Sequence, residues 1–452
     1  MAGEFINQAI QARFQFAFTA IFHILWPVLI VGLSIFLVIL ETLWLKTRDD
    51  VYYHHTRFWT RLFLLNLAIG VVTGIPLEFQ FGTNWSRFSI ASGDIFGHML
   101  GFEATIAFML EASFLSIMAF GWTRVSRGMH LFATLMVAFG ASLSVFWIMD
   151  ANAWMQTPTG GFYENGKFHV TSNYEAIFNP NMFWAVLHKE TACLMITTFV
   201  VGGISAWYLF KGRHTAFFLK SFKVSVVAAI VITPLQIYLG DGSGRNVLQH
   251  QPAKLAGMEA HWNTNGPGEG APWHVIAWPD KSRQENRFEI NIPNGLSLIA
   301  TRQSTGIVPG LKEFPLEDQP PVWLPFYGFR IMLAVGFGSF FLMLYTAWAW
   351  YRGRLNMDRI HQQRRLLIAW MIAIPMNYLA MEAGWVTREV GRQPWVIYNV
   401  LRTGAGASPV HGSMVSISLV MFVIVYTLLF CLFFLFARYI IQKGPSFEQP
   451  PK

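Results

Sequence analysis

Apolar positions fall into long runs along this chain, separated by short polar stretches and a single long one. A membrane-crossing helix needs about 20 mostly apolar residues. Nine runs approach or exceed that length: 14–45, 62–81, 96–122, 131–149, 183–210, 217–239, 322–351, 366–385 and 414–436. The pattern predicts an all-α fold, a polytopic membrane helix bundle of about nine transmembrane helices, here spans 1–9. Lys220 and Lys223 shorten the apolar part of span 6, and spans 1 and 7 are long enough to tilt or to extend beyond the bilayer. The chain reads as a single membrane domain, 1–452, whose one long loop is 240–321. Gly, Pro, Asn and both charge signs give that loop the composition of a folded or mobile segment with little core of its own. Neither an internal repeat nor a low-complexity stretch is present.

Composition agrees with this reading. Of 452 residues, 54% are hydrophobic and only 13% charged, about half the roughly 25% of a soluble domain. A water-soluble enzyme and a disordered chain are both excluded. The net charge of +8 sits in short clusters between apolar runs rather than on one basic face, so it marks a membrane protein and not a nucleic-acid binder. Those clusters follow the odd-numbered spans: Lys46, Arg57 and Arg61; Arg124 and Arg127; Lys211 and Arg213; Arg352, Arg354, Arg364 and Arg365; then Arg438 and Lys443 after span 9. Positive turns face the cytoplasm, which predicts an outer N-terminus, a cytoplasmic C-terminus and an outer 240–321 loop. Cys193 and Cys431 both lie inside apolar runs, so no disulfide framework or CxxC metal site is expected. No cleavable signal peptide is expected either.

Ionisable groups inside spans are costly and point to function. The set comprises His23, Glu78, Glu103, Glu111, His188, Lys189, Glu190, Arg330 and Glu382. With the predicted orientation, and at about 1.5 Å per residue, His23, Glu103, His188, Met332 and Glu382 all fall in the outer half of the membrane. Each has a plain alternative. A lone His in a span usually makes a helix-to-helix hydrogen bond, a Met usually fills the core, and a Glu near a span end is often a cap or an ion-pair partner. Glu103 and Glu111 are eight residues apart, which suits either a proton relay or two unrelated pairings. Together these residues predict a polar cluster of His, Met and carboxylates, a setting in which haem iron takes His or Met/His ligands. Most of the 13 His lie in loops, which argues against a copper centre. A transporter remains open on charge placement alone.

Several motifs carry a more specific signal: Phe79-Gln80-Phe81-Gly82-Thr83-Asn84-Trp85 after Glu78; Gly93-Asp94-Ile95-Phe96-Gly97 leading to Glu103 and Glu111; Ala151-Asn152-Ala153-Trp154-Met155-Gln156; Lys254-Leu255-Ala256 with Glu259; Phe329-Arg330-Ile331-Met332; Glu382-Ala383-Gly384-Trp385; and Gly391-Arg392-Gln393-Pro394-Trp395. In this order the chain resembles subunit I of the cytochrome bd-type quinol oxidases over nearly its whole length. The resemblance implies that His188 and Met332 are the axial ligands of a low-spin haem b, with Arg330 facing that haem. It implies that His23 and Glu103 serve one high-spin haem and Glu382 the other, these positions being filled by a high-spin haem b and haem d. Lys254 and Glu259 are implied at the quinol site in the outer loop (the Q-loop), and Glu111 and Ser144 on the proton path.

One departure concerns the Q-loop, which runs from Gly310-Leu311-Lys312-Glu313 almost directly into Pro325-Phe326. The family's long form carries a large insertion there. Some short-form members are called cyanide-insensitive oxidases, and some of those carry haem b in place of haem d. Asp150 is unusual at its position and receives no role. The resemblance further implies a second subunit, a small single-span subunit as an accessory, quinol and oxygen as substrates, and the bacterial cytoplasmic membrane as location. The competing readings are a transporter whose buried Glu and Arg bind an ion, and a haem b electron-transfer subunit without oxygen chemistry.

Overall fold

The computed structural model describes residues 2–447. Among them, nine helical spans are long and apolar enough to cross a membrane: Ala9–Thr47, Asp50–Thr83, Ser86–Phe120, Arg127–Gln156, Met182–Phe210, Thr215–His250, Trp323–Tyr351, Arg364–Val390 and Gly412–Lys443. They correspond one to one with the nine apolar runs, but three differ in ways that matter for the site.

Span 1 is two helices, Ala2–Ile24 and Pro27–Thr47. Pro27 lacks an N–H and opens the second helix at its first turn. The Trp26 amide bonds back to the His23 carbonyl at 3.1 Å, so His23 stands at the break. Span 3 begins about ten residues before its apolar run and contains two π-helical segments, Gly93–Gly97 and Glu103–Phe108. At 3.6 residues per turn, eight residues overshoot two turns. The wider i→i+5 turns that begin at Glu103 take up that excess and bring Glu103 and Glu111 toward one face. Span 6 is not shortened by its lysines. Lys220 reaches Asp49 at 2.5 Å and Lys223 lies over the Trp350 ring, so both stems stay against the bundle while the ammonium ends find partners. The helix also continues through 240–250, residues that composition assigns to the loop.

Span 5 is the most buried of the nine and span 9 the least. Spans 1, 4, 6 and 8 all pack on span 5, and small residues set the approach. A Cβ on Gly32 of span 1 would run into Thr197 and the Cys193 carbonyl of span 5, and one on Gly203 of span 5 would meet Ile374 of span 8 at 2.6 Å. Such contacts bring helix backbones close, the usual way to pack helices where lipid gives no hydrophobic drive.

Three short antiparallel hairpins lie in the connections after even-numbered spans, and so at one end of the bundle: Gly161–Glu164 with Lys167–Val170, Trp273–Asp280 with Glu285–Ile292, and Trp395–Ile397 with Leu401–Arg402. The 240–321 segment has more core than its composition suggests. Its helix Pro252–Glu259 feeds two clusters, one around Ala256, Trp262, Leu311 and Phe326, the other around Leu255, Met258, Leu296 and Val308. The second also includes Val247 and Phe329, which tie it to spans 6 and 7. Gln319, 4% exposed, closes the turn before span 7 by donating to the carbonyls of Leu311 and Phe314 at 3.0 and 2.9 Å. Leu316, between those points, is exposed. Arg402 then joins this turn to the connection between spans 8 and 9 through Asp318 at 2.6 Å.

The close seam predicts a specific weakness. Gly32→Val forces spans 1 and 5 apart and should cost about 1–3 kcal/mol by overpacking. Gly128→Ala, at a position where a Cβ meets nothing within 4 Å, should have no such effect. Thermal unfolding of the purified protein in detergent reads the contrast.

Candidate functional site

His188 of span 5 and Met332 of span 7 line the same cavity, about 200 Å³ in volume, together with residues of spans 6 and 8. Glycines make room around both. A Cβ at Gly240 would lie 3.3 Å from the His188 ring, and one at Gly384 would lie 3.0 Å from the Met332 sulfur. Gly244 and Gly336 also line the cavity, and a Cβ at either would meet nothing within 4 Å. The His188 ring is only loosely engaged: Gln236 Nε2 is 3.3 and 3.4 Å from its two nitrogens. An imidazole and a thioether facing one mainly apolar internal space, flanked by residues without side chains, are a donor pair that would suit an iron cofactor.

A second His is oriented more firmly. His23 Nδ1 lies 3.0 Å from Thr73 Oγ1. The Thr73 hydroxyl spends its hydrogen on the Ile69 carbonyl at 2.9 Å or the Gly70 carbonyl at 3.2 Å, so it accepts from His23 Nδ1–H. That tautomer leaves the Nε2 lone pair for a metal. Both carboxylate oxygens of Glu382 are sealed from solvent and find no hydrogen-bond partner, a costly state that a ligand would relieve. Glu103 accepts a 2.6 Å hydrogen bond from Ser144 of span 4.

Ser144 therefore serves Glu103 directly and makes no hydrogen bond to Glu111. Glu111 is buried with Oε1 unpartnered. It packs against Gly140 of span 4, where a Cβ would be 2.9 Å from the Glu111 amide nitrogen. Glu111 and Glu78 both lie within electrostatic reach of Glu103. No hydrogen bond joins His23, Glu103 and Glu382 to one another among the described residues; they stand on spans 1, 3 and 8.

Lys254 and Glu259 are buried, not solvated, at 3% and 4% exposure. Five residues apart on one short helix, they turn in different directions. Lys254 lines the His188 cavity and donates to Gln156 Oε1 at 3.0 Å. Burial, aided by the Arg388 charge, holds its ammonium well below the usual lysine range. Glu259 instead accepts from Arg330 Nη2 at 2.6 Å, and its carbonyl meets His274 Nδ1 at 3.1 Å. Burial pushes its carboxyl up, and the Arg330 charge pulls it part of the way back. Arg330 is thus tied to Glu259 and to the His274 carbonyl, at 2.7 Å, with its guanidinium over Phe326 and Trp273.

Sequence reasoning passed over one network. Glu389 accepts from Asn152 at 2.9 Å, Gln156 at 3.3 Å and Arg392 at 2.5 Å, while Arg388 donates to Asn152 and Asn181. The i,i+3 spacing of Glu389 and Arg392 was the available signal: Arg392, like Asn152 and Gln156, stands inside a motif already singled out, and Glu389 lies between two of them. Through Gln156 this network reaches Lys254.

A helix bundle that turns imidazole, thioether and carboxylate donors into its own interior has the donor set of a membrane redox protein. Comparison with known proteins makes this specific. The family model for cytochrome bd terminal oxidase subunit I matches residues 11–445. The chain is 35% identical to the cytochrome bd-II ubiquinol oxidase subunit 1 of Escherichia coli (strain K12), covering 97% of each chain. It is 34% identical to the cytochrome bd ubiquinol oxidase subunit 1 of Bacillus subtilis (strain 168), over 98% of this chain and 95% of that one. The solved bd oxidase of Geobacillus thermodenitrificans superposes with a TM-score of 0.89 at 29% identity, over 98% of this chain and 100% of that one. The chain belongs to the cytochrome bd subunit I family: it is a haem-containing, multi-pass membrane subunit of a terminal quinol oxidase.

The buried ion pair gives a test independent of cofactor. Arg330→Met strands the Glu259 carboxylate and should cost about 3–5 kcal/mol. Arg330→Met with Glu259→Met should recover most of the loss, as read by thermal unfolding in a double-mutant cycle.

Proposed function

We propose that this chain takes electrons from quinol at the outer face of the bacterial cytoplasmic membrane and delivers them to oxygen, with the protons for water drawn from the cytoplasm. It would act as a copper-free quinol:oxygen oxidoreductase that generates proton motive force by charge separation, without pumping. The observation that carries this reading is the cavity that His188 and Met332 share, with a glycine beside each. His188 and Met332 would hold a low-spin haem b. His23 and Glu103 would hold one high-spin haem and Glu382 a second, the pair being haem b and haem d, or two haems b as in some short-loop relatives. When bound, these groups supply the one-electron transfers and the reduction of oxygen.

The chain's own residues supply position and protons. Thr73 fixes the His23 tautomer, and Ser144 orients Glu103. Quinol would be taken up under the 240–321 segment. There the Glu259 carboxylate, anchored by Arg330 and made more basic by burial, can accept a hydroxyl proton as quinol is oxidised. Lys254 stands between that region and the His188 cavity, positioned by Gln156 and the Glu389 network. Glu111 lies eight residues beyond Glu103 on span 3, on the cytoplasmic side in the orientation that the cationic turns favour. It can pass protons toward Glu103. The partners this reading implies are the oxidase's second subunit, a small single-span subunit, membrane lipid, quinol and oxygen.

Two measurements test the reading. His188→Ala or Met332→Leu should abolish the low-spin haem b bands of the reduced-minus-oxidised spectrum together with quinol oxidation; a normal low-spin spectrum in His188→Ala would refute the ligand assignment. Glu111→Gln should slow oxygen consumption about tenfold or more, as loss of a positioned proton donor does, while haem content and quinol binding stay at parental levels. Parental rates of oxygen consumption and charge separation in that variant would make Glu111 structural.

A further inference from the structure

Lys189 is an ionisable side chain that the reading above leaves unused. Its Nζ is sealed from solvent and finds no hydrogen-bond acceptor. It lies 5.2 Å from the ring centroid of Trp385, one turn beyond Glu382 on span 8, and it lines the cavity of His188 and Met332. The Glu382 and Glu190 carboxylates and the Cys193 thiol are within its electrostatic reach. So are His188 and His23. One lysine amine therefore lies within electrostatic reach of a candidate ligand at each of the three redox positions.

Packing alone does not explain a charge there. A Met would fill the same volume against Trp385 without the expense of burying an ammonium that lacks an acceptor. What the charge adds is action at a distance, which is strong where the dielectric constant is low. Each electron received by an iron group makes that group more negative, so a nearby fixed cation favours the reduced form. Burial and local charge are among the levers by which a protein sets such potentials. Glu190, of opposite sign and engaged by Ser142 of span 4, is placed to offset part of the effect.

We propose that Lys189 is a positioning charge that holds the redox groups at His188–Met332 and at Glu382 toward their reduced forms. The inference rests on the haem reading of those ligands. Its test is an optical redox titration of the complete oxidase, purified with its partner subunit. Lys189→Met should retain parental haem bands but lower the midpoint potentials, so that at the parental midpoint the reduced-to-oxidised ratio falls several-fold. Lys189→Arg should stay close to the parent, and Glu190→Gln should move the midpoints the opposite way. Unchanged midpoints in Lys189→Met at full haem content overturn the inference and leave the haem reading standing. An equal fall in Lys189→Arg assigns the effect to packing and overturns it too. Absence of haem bands from the parent overturns the haem reading itself. If Lys189→Met does not assemble, Lys189→Gln removes the same charge, and unchanged midpoints there are equally decisive.

Discussion

The whole arrangement depends on how closely other helices approach span 5. Lipid tails offer no hydrophobic drive for helix association, so packing distance carries the load. Gly32 lets span 1 lie on the backbone of span 5, and Gly203 lets span 8 do the same from another side. The consequence is that His188 and Lys189 on span 5 stand within reach of groups on spans 1, 6 and 8. Were span 5 an ordinary helix separation away from these neighbours, His23, Gln236 and Glu382 would no longer gather around it.

The apolar bundle also decides which polar groups can be function and which are structure. Glu41 is fully buried, yet both its oxygens are used, one by His130 and one by Thr134, each at 2.7 Å. Glu389 is likewise held by several donors. Glu382 and Lys189 differ, because their charged ends are sealed without a hydrogen bond. In a low-dielectric interior that difference separates a finished network from a half-built one. Lys189 lines the His188 cavity, and Glu382 lies beside Met381, which lines it too.

The spans were legible because hydropathy over about 20 residues is a strong one-dimensional signal. Their interruptions were less so. Pro27 stood in plain view inside an apolar run, but only the backbone reveals that His23 sits at the resulting break. The π segments of span 3 leave no simple pattern, although they improve the alignment of Glu103 with Glu111. The candidate site was legible mostly as a set of residue types at odds with their surroundings, and the family resemblance supplied roles that spacing alone left open. Pairings were not legible, since they join distant stretches: Ser144 with Glu103, Arg330 with Glu259, Gln156 with Lys254. The burial of Lys254 and Glu259 was hidden too, because the 240–321 segment has a polar composition and builds its two clusters from residues scattered along it.

The turn that Gln319 closes has a bearing on how this architecture tolerates change. The carbonyls of Leu311 and Phe314 are already pinned to the Gln319 side chain, and the stretch between 314 and 319 bulges outward with Leu316 exposed. An inserted segment leaving at 315 and returning by 318 would begin and end at points whose separation is fixed. Closing a loop costs only about 0.6 kcal/mol more for each doubling of its length. Lengthening the chain here is thermodynamically cheap, provided the Arg402–Asp318 contact is kept or replaced. The turn is thus a natural graft point, where extra sequence can be added above the site without redesigning the helices beneath it.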